Sequence, residues 1–213
     1  MKLQLALDTF SLEKALRLVE KAREHVDIIE IGTPFLLEYG MESVRCFRQA
    51  FPEKEILADA KIMDAGELEA ASAFRAGANY VTVLAVTDDL TMRACVETAN
   101  RHGGQIVADM ICVTDIPAKV RILEALGVHG VAVHTGVDQQ RAGRTPLDDL
   151  ATIKANVRKT QVFVAGGIRL ETIPNYASLA PDVLIVGGAI ASAPDPAGTA
   201  QAIRTAISHF EGS

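Results

Sequence analysis

The feature that most constrains this chain is an alternation that runs from end to end. Short apolar runs take turns with longer amphipathic stretches. The strand candidates are Leu3–Asp8, Val26–Ile31, Glu55–Lys61, Tyr80–Ala85, Gln105–Ile111, Gly130–His134, Gln161–Ala165 and Val183–Val186. Helical patterns lie between them at Leu12–Arg23, Pro34–Ala50, Ala65–Arg75, Asp88–His102, Ile116–Leu126, Pro146–Lys159, Leu170–Ser178 and Ala197–Phe210. Breakers such as Gly32, Gly77, Gly103-Gly104, Gly127 and Pro181 separate the elements. Strand and helix in strict alternation imply parallel strands joined by crossover helices. Eight such units in 213 residues predict one compact α/β domain over residues 1–213, a single (β/α)8 TIM barrel near the short end of that fold's range. The alternative is a doubly wound sheet. That fold usually has fewer strands and often a glycine-rich first loop, whereas Asp8-Thr9-Phe10-Ser11 contains no glycine.

Side-chain alternation along the strands locates function more sharply than the count of elements does. In a barrel the outward face of each strand packs on helices, and the inward face carries function at the C-terminal end. On this pattern Leu3, Leu5 and Leu7 face outward, with Gln4, Ala6 and Asp8 inward. Ile29 and Ile31 face outward, with Ile28 and Glu30 inward. Leu57, Asp59 and Lys61 face inward, the last two with Cα atoms about 7 Å apart. Ile106 and Ala108 oppose Val107 and Asp109, and Val131 and Val133 oppose Ala132 and His134. Five strands thus end on an ionisable inward residue: Asp8, Glu30, Asp59 with Lys61, Asp109 and His134. Charged groups are costly to bury without partners, so five converging tips point to one site for a charged substrate.

Strands seven and eight end differently, in Ala165-Gly166-Gly167-Ile168 and Val186-Gly187-Gly188-Ala189. Paired glycines let backbone N–H groups approach an anion closely. The loops after these two strands are the usual phosphate site of the barrel. A single Gly-Gly usually marks a turn, but two at these positions predict a phosphate site.

Composition excludes other classes. The net charge of −6 is spread along the chain and no Lys/Arg cluster appears, which argues against nucleic-acid binding. No apolar run approaches the ~18 residues of a membrane span, and Met1–Asp8 is too interrupted for a signal-peptide core. Cys46, Cys95 and Cys112 are widely spaced, which argues against a disulfide framework and against zinc. Three reduced thiols in a cytoplasmic protein are expected.

Asp59-Ala-Lys61-Ile-Met-Asp64 fits the D-x-K-x-x-D signature of the orotidine monophosphate decarboxylase superfamily. The chain most resembles its 3-hexulose-6-phosphate synthase branch. The likeness takes in Leu3–Asp8, Val26–Pro34, Leu57–Gly66, Val81–Leu84, Val133–Asp138, Ala165–Ile168 and Ile185–Gly188. The sister branch, 3-keto-L-gulonate 6-phosphate decarboxylase, shares the acidic positions. It typically carries arginines where this chain has Val137 and Ala189, and both differences favour the synthase branch.

The resemblance implies a Mg²⁺-dependent aldol reaction between formaldehyde and D-ribulose 5-phosphate, reversible, in a homodimer. Glu30 and Asp59 match the family's metal ligands; a buried acid pairing with Lys61 is the structural alternative. Lys61 is expected to stay charged and donate to a substrate oxygen. Asp64 is expected to orient the neighbouring subunit's lysine, or, in the plainer reading, to cap a helix. His134 is the candidate base for the C1 proton. Asp8 is expected to bind a sugar hydroxyl or Lys61, and Asp109 a hydroxyl or metal-bound water. Gly166, Gly167, Gly187 and Gly188 are expected to hold the 5-phosphate. His25, His102, His129 and His209 carry only a surface expectation. The rivals are the keto-gulonate phosphate decarboxylase and a barrel that binds sugar phosphate without turnover.

Overall fold

The computed structural model describes residues 1–8 and 11–210; Thr9, Phe10 and residues 211–213 lie outside it. Eight parallel strands close into a ring in chain order: β1 (Lys2–Leu7), β2 (Ile28–Ile31), β3 (Glu55–Ile62), β4 (Tyr80–Leu84), β5 (Gln105–Asp109), β6 (Gly130–His134), β7 (Gln161–Ala165) and β8 (Val183–Val186). β8 pairs back onto β1, Leu3 opposite Leu184. The expected (β/α)8 barrel is therefore the fold, and the doubly wound alternative falls. Among the described residues no helix is long and apolar enough to cross a membrane.

The faces fall as alternation requires. Leu3, Leu5, Leu7, Ile29, Ile31, Ile106, Ala108, Val131 and Val133 are buried in the layer between strands and helices. Ile28, Leu57, Tyr80, Val107, Ala132 and Phe163 fill the barrel interior as a separate cluster. Each fully buried Leu, Ile or Phe contributes about 1.5–3 kcal/mol, so this two-zone burial dominates the stability.

Among the described residues, ten α-helices surround the ring. Those matching the expected pattern are α1 (Leu12–Ala22), α2 (Thr33–Ala50), α3 (Gly66–Ala76), α4 (Asp89–His102) and α5 (Ile116–Ala125). Ser11, Asp88 and Asp115 cap α1, α4 and α5 through side-chain oxygens, which satisfies otherwise orphaned N–H groups. Two short helices were not expected, α6 (Val137–Arg141) and α9 (Gly188–Ala191); both lie in loops at the C-terminal end of the ring. α7 is Leu147–Asn156, shorter than Pro146–Lys159, and α10 is Pro196–Ser208. The expected helix Leu170–Ser178 divides into a 3₁₀ turn, Leu170–Thr172, and α8, Ile173–Ala177. Strand five ends at Asp109 rather than Ile111, and strand two begins at Ile28 rather than Val26. Apolar flanks made those strands read long, because hydrophobicity marks burial and not ladder pairing.

The N-terminal end of the barrel carries a fourfold latch. Asp27, Asn79, His129 and Asp182 each stand directly before an even-numbered strand. Each accepts, through its side chain, the backbone N–H of the second residue of the preceding odd strand: Leu3 at 2.8 Å, Ile56 at 2.8 Å, Ile106 at 3.1 Å and Val162 at 2.7 Å. Each also donates its own backbone N–H to that same residue's carbonyl. His129 is therefore half-buried and structural, which corrects the surface expectation for it. Burial holds its pKa below the ordinary histidine value, and the ring accepts at Nδ1, so the latch uses neutral imidazole.

Candidate active site

All five ionisable tips meet at the C-terminal mouth of the barrel. Asp8, Glu30, Asp59, Lys61, Asp109 and His134 line one cavity of about 1170 Å³. The remaining charged candidate, Asp64, lies elsewhere. It is exposed, does not line this cavity, and accepts from the N–H of Ala65 at 2.7 Å. It is not the helix cap either, since Ala65 takes that position with no side-chain bond.

β3 positions its two charged residues through a distortion. Ala58 is opposite Val81 and Ile62 opposite Val83, so four steps along β3 match two along β4. Lys61 sits in this bulge at φ 47°, in the left-handed region. That conformation is uncommon for a side chain with a Cβ and costs about 1–3 kcal/mol. The expectation of plain strand alternation from Asp59 to Lys61 is corrected on this point, although both residues reach the cavity. Thr82 supports the bulge: its Oγ1 accepts the Lys61 N–H at 2.9 Å and donates to Asp59 Oδ1 at 2.7 Å.

A charge relay crosses the mouth. Lys61 Nζ donates to Asp59 Oδ1 and Oδ2 at 3.0 and 2.9 Å, and to Asp109 Oδ2 at 2.9 Å. Asp109 Oδ2 also meets His134 Nδ1 at 2.9 Å, while its Oδ1 accepts the Ile111 N–H at 3.0 Å. Thr33 Oγ1 adds a bond to Asp59 Oδ2 at 2.9 Å. The pKa values follow. Burial would lower the Lys61 ammonium, but the charges of Asp59 and Asp109 and their hydrogen bonds outweigh it and raise the pKa. Lys61 is therefore a permanent cation. Burial would raise Asp109, yet the His134 hydrogen bond and charge, with Lys61, bring it down to about 2. An Asp109 ionised at any working pH can only accept, so Nδ1 of His134 carries a proton and neutral His134 keeps its lone pair on Nε2.

Glu30 differs from these paired groups. Burial first, and then the charge of Asp59, push its carboxyl up to about 8. Gln4 Nε2 donates to Glu30 Oε2 at 2.6 Å and offsets only part of this. Asp8 stands at the rim and is raised too, by partial desolvation and by Asp59. Gly32 makes room for it: a Cβ there would lie 2.2 Å from Asp8 Oδ1.

The glycine pairs complete the cavity wall. Gly166 and Gly167 take φ of 131° and 66°, and a Cβ on Gly166 would meet Thr135 Cβ at 2.9 Å. A Cβ on Gly188 would meet no protein atom within 4 Å, so that backbone faces open space. Gln140 from α6 closes over Gly167 and donates to the Thr135 carbonyl at 2.7 Å. Arg141 and Arg169 also line the cavity. Thr33, Thr82 and Gln140 escaped the sequence reading. Thr82 had a usable signal, a polar residue on the inward face of Tyr80–Leu84, whereas Thr33 opens α2 and Gln140 lies in the short helix α6, where strand alternation gives no reading.

Eight parallel strands with this constellation at their C-terminal ends define a (β/α)8 barrel whose charged groups gather where barrel enzymes carry their active sites. The chain belongs to the Orotidine 5'-phosphate decarboxylase / HUMPS family, which it matches over residues 1–203. Within it, the chain is 43% identical over 207 residues to a 3-hexulose-6-phosphate synthase of Bacillus subtilis, covering 97% of this chain and 99% of that one. The crystal structure of 3-hexulose-6-phosphate synthase from Salmonella typhimurium is similar at a TM-score of 0.97 and 52% identity, covering 99% and 100% of the two chains. That of 3-keto-L-gulonate-6-phosphate decarboxylase from Vibrio cholerae is similar at a TM-score of 0.86 and 29% identity, covering 98% of each chain. With synthase relatives this close along its whole length, the chain is an enzyme of the synthase type.

Proposed function

We propose that this chain condenses formaldehyde with D-ribulose 5-phosphate to D-arabino-hex-3-ulose 6-phosphate, reversibly, as a Mg²⁺-dependent cytoplasmic homodimer. The relay Asp59–Lys61–Asp109–His134 beside the electrostatically crowded Glu30 is the observation that carries the reading. Glu30 and Asp59 are the residues for the cation. Burial first, and then the charge of Asp59, hold Glu30 protonated near neutral pH, and a divalent cation between the two acids would favour its charged form. Among the described residues no group of three or more His, Cys, Asp or Glu forms a ready-made cage. Magnesium is usually bound by one or two carboxylates plus water and substrate oxygens, so this donor set fits. Bound there, Mg²⁺ would act as a Lewis acid opposite the charge that develops on the substrate's ketone oxygen.

The chain's own groups supply the rest. His134 Nε2 takes the C1 proton of the keto sugar, while Asp109 holds the ring in the required tautomer and balances the imidazolium. Lys61 cannot be the base, since it does not release its proton. It donates from Nζ to the oxygen on which charge accumulates in the enediolate. C1 then attacks the formaldehyde carbon, and the new alkoxide takes the proton back from Nε2. Asp8 and Asp109 have free acceptor capacity for sugar hydroxyls. The N–H groups around Gly166-Gly167 and Gly187-Gly188 receive the 5-phosphate.

Exposed apolar side chains support the dimer. Leu37 is 83% exposed, Met63 52%, Leu68 69% and Leu90 76%, and Met63 and Leu68 flank Asp64. Exposed apolar side chains beside Asp64 fit a second copy, which would carry Asp64 toward the neighbouring site. The decisive assay is formaldehyde consumption with ribulose 5-phosphate and Mg²⁺, with and without EDTA. Metal-dependent loss is expected. No loss by the folded protein, with CO₂ release from 3-keto-L-gulonate 6-phosphate instead, would move the assignment to the sister activity.

A further inference from the structure

The floor of the cavity is apolar around one polar side chain, Gln4. It stands on β1 opposite Ile28, two residues below Ala6, which is the register partner of Glu30. Leu57, Phe163 and Ile185 line the same floor. Gln4 is fully buried. Its Nε2 donates to Glu30 Oε2 at 2.6 Å, but its Oε1 has no hydrogen-bond partner among the described residues. A buried unpaired carbonyl costs about 1–3 kcal/mol, and an apolar side chain of similar volume would fill the space without that cost. The amide therefore needs a reason beyond packing, and its single bond names Glu30.

We infer that Gln4 is a positioning residue, an amide clamp that holds the Glu30 carboxylate in one orientation and readies it for the divalent cation. The inference rests on the assignment of Glu30 as a cation ligand. A glutamate has several rotatable bonds, and on an apolar floor nothing else fixes this one from below. Fixing it before the cation arrives removes an ordering cost from binding. Hydrogen-bond partners of metal-ligating side chains are typically worth 10–100-fold in metal affinity. The clamp also explains why β1, whose tip residue is Asp8, keeps a polar residue so deep.

The test is Mn²⁺ binding to the full-length protein, followed by the loss of free-ion EPR signal and by the rise in Tm on adding Mn²⁺. Gln4→Met is expected to weaken Mn²⁺ binding by about 10–100-fold and to shrink the Mn²⁺-dependent rise in Tm. Gln4→Asn keeps an amide but is one methylene short of Glu30, and it should weaken binding in the same direction. It decides the matter if the Met variant does not fold. A purely structural Gln4 would lower the metal-free Tm and leave the affinity of the folded protein unchanged. Wild-type binding with variants within about twofold of it would overturn the inference alone. A wild-type protein that binds no Mn²⁺ would overturn both the inference and the cation assignment of Glu30.

Discussion

The two ends of this barrel use the same kinds of residue to opposite effect. At the N-terminal end, Asp27, Asn79, His129 and Asp182 each receive a strand N–H and return one, so every member is partnered. At the C-terminal end, Asp8, Glu30, Asp59 and Asp109 share one ammonium, Lys61, and one imidazole, His134. Acid exceeds base there, Glu30 is pushed up to about 8, and Lys61 is held in a left-handed bulge. Two more non-glycine residues with positive φ, Ala65 and Cys112, follow β3 and β5 at that same end; among the described residues Ala180 alone lies near the other. Polar groups at one end are tied to strand backbone, while those at the other pair among themselves around an open cavity, with crowded charge and a strained lysine.

Variants at each end test that contrast. The largest effect is expected at Asp59, which anchors Lys61, Thr33 and Thr82 together. Asp59→Ala should bring turnover below detection while the circular dichroism spectrum stays native. Rates near wild type would remove Asp59 from the catalytic set. Next comes His134. His134→Gln should slow turnover by about 10²–10⁴-fold, the usual range for a general base. It should also abolish exchange of the C1 proton of ribulose 5-phosphate in D₂O without formaldehyde. Exchange that persists would move the base elsewhere.

The smallest effect belongs to the latched end. His129→Ala should cost about 1–3 kcal/mol in denaturant unfolding, because the Ile106 N–H loses its acceptor, with no change in turnover by the remaining folded enzyme. The same latch predicts a pH dependence. The folded-state pKa of His129 is lowered, so the unfolded chain binds more protons near pH 6. Stability is therefore full above the unfolded pKa and falls as pH drops through it toward the folded value. His129→Asn, which copies Asn79 at the equivalent position, should restore the latch and flatten this acid loss. An acid profile unchanged by that replacement would deny His129 the role.

Much of the site was legible because strand periodicity is simple. A period of two placed Asp8, Glu30, Asp59, Lys61, Asp109 and His134 on the inward face, and all of them line the cavity. The resemblance supplied the chemistry. The bulge was not legible. Local propensity disfavours a left-handed lysine, and only the pairing of β3 with β4 over Thr82 makes it hold. The helices α6 and α9 were missed for a related reason: at four or five residues they are shorter than the pattern that reveals a helix. The latch was hidden too, since its four members are of three types, Asp, Asn and His, and share only a position.

By itself the sequence determined the class of fold and the inward set of charged tips, because both follow from periodicity along a single chain. Tertiary structure decided which tip meets which. Lys61 reaches Asp109 two strands away, Gln4 reaches Glu30 from below, and Asp109 fixes the tautomer of His134. Those pairings depend on the register and closure of eight strands, which are settled only when distant segments pack together.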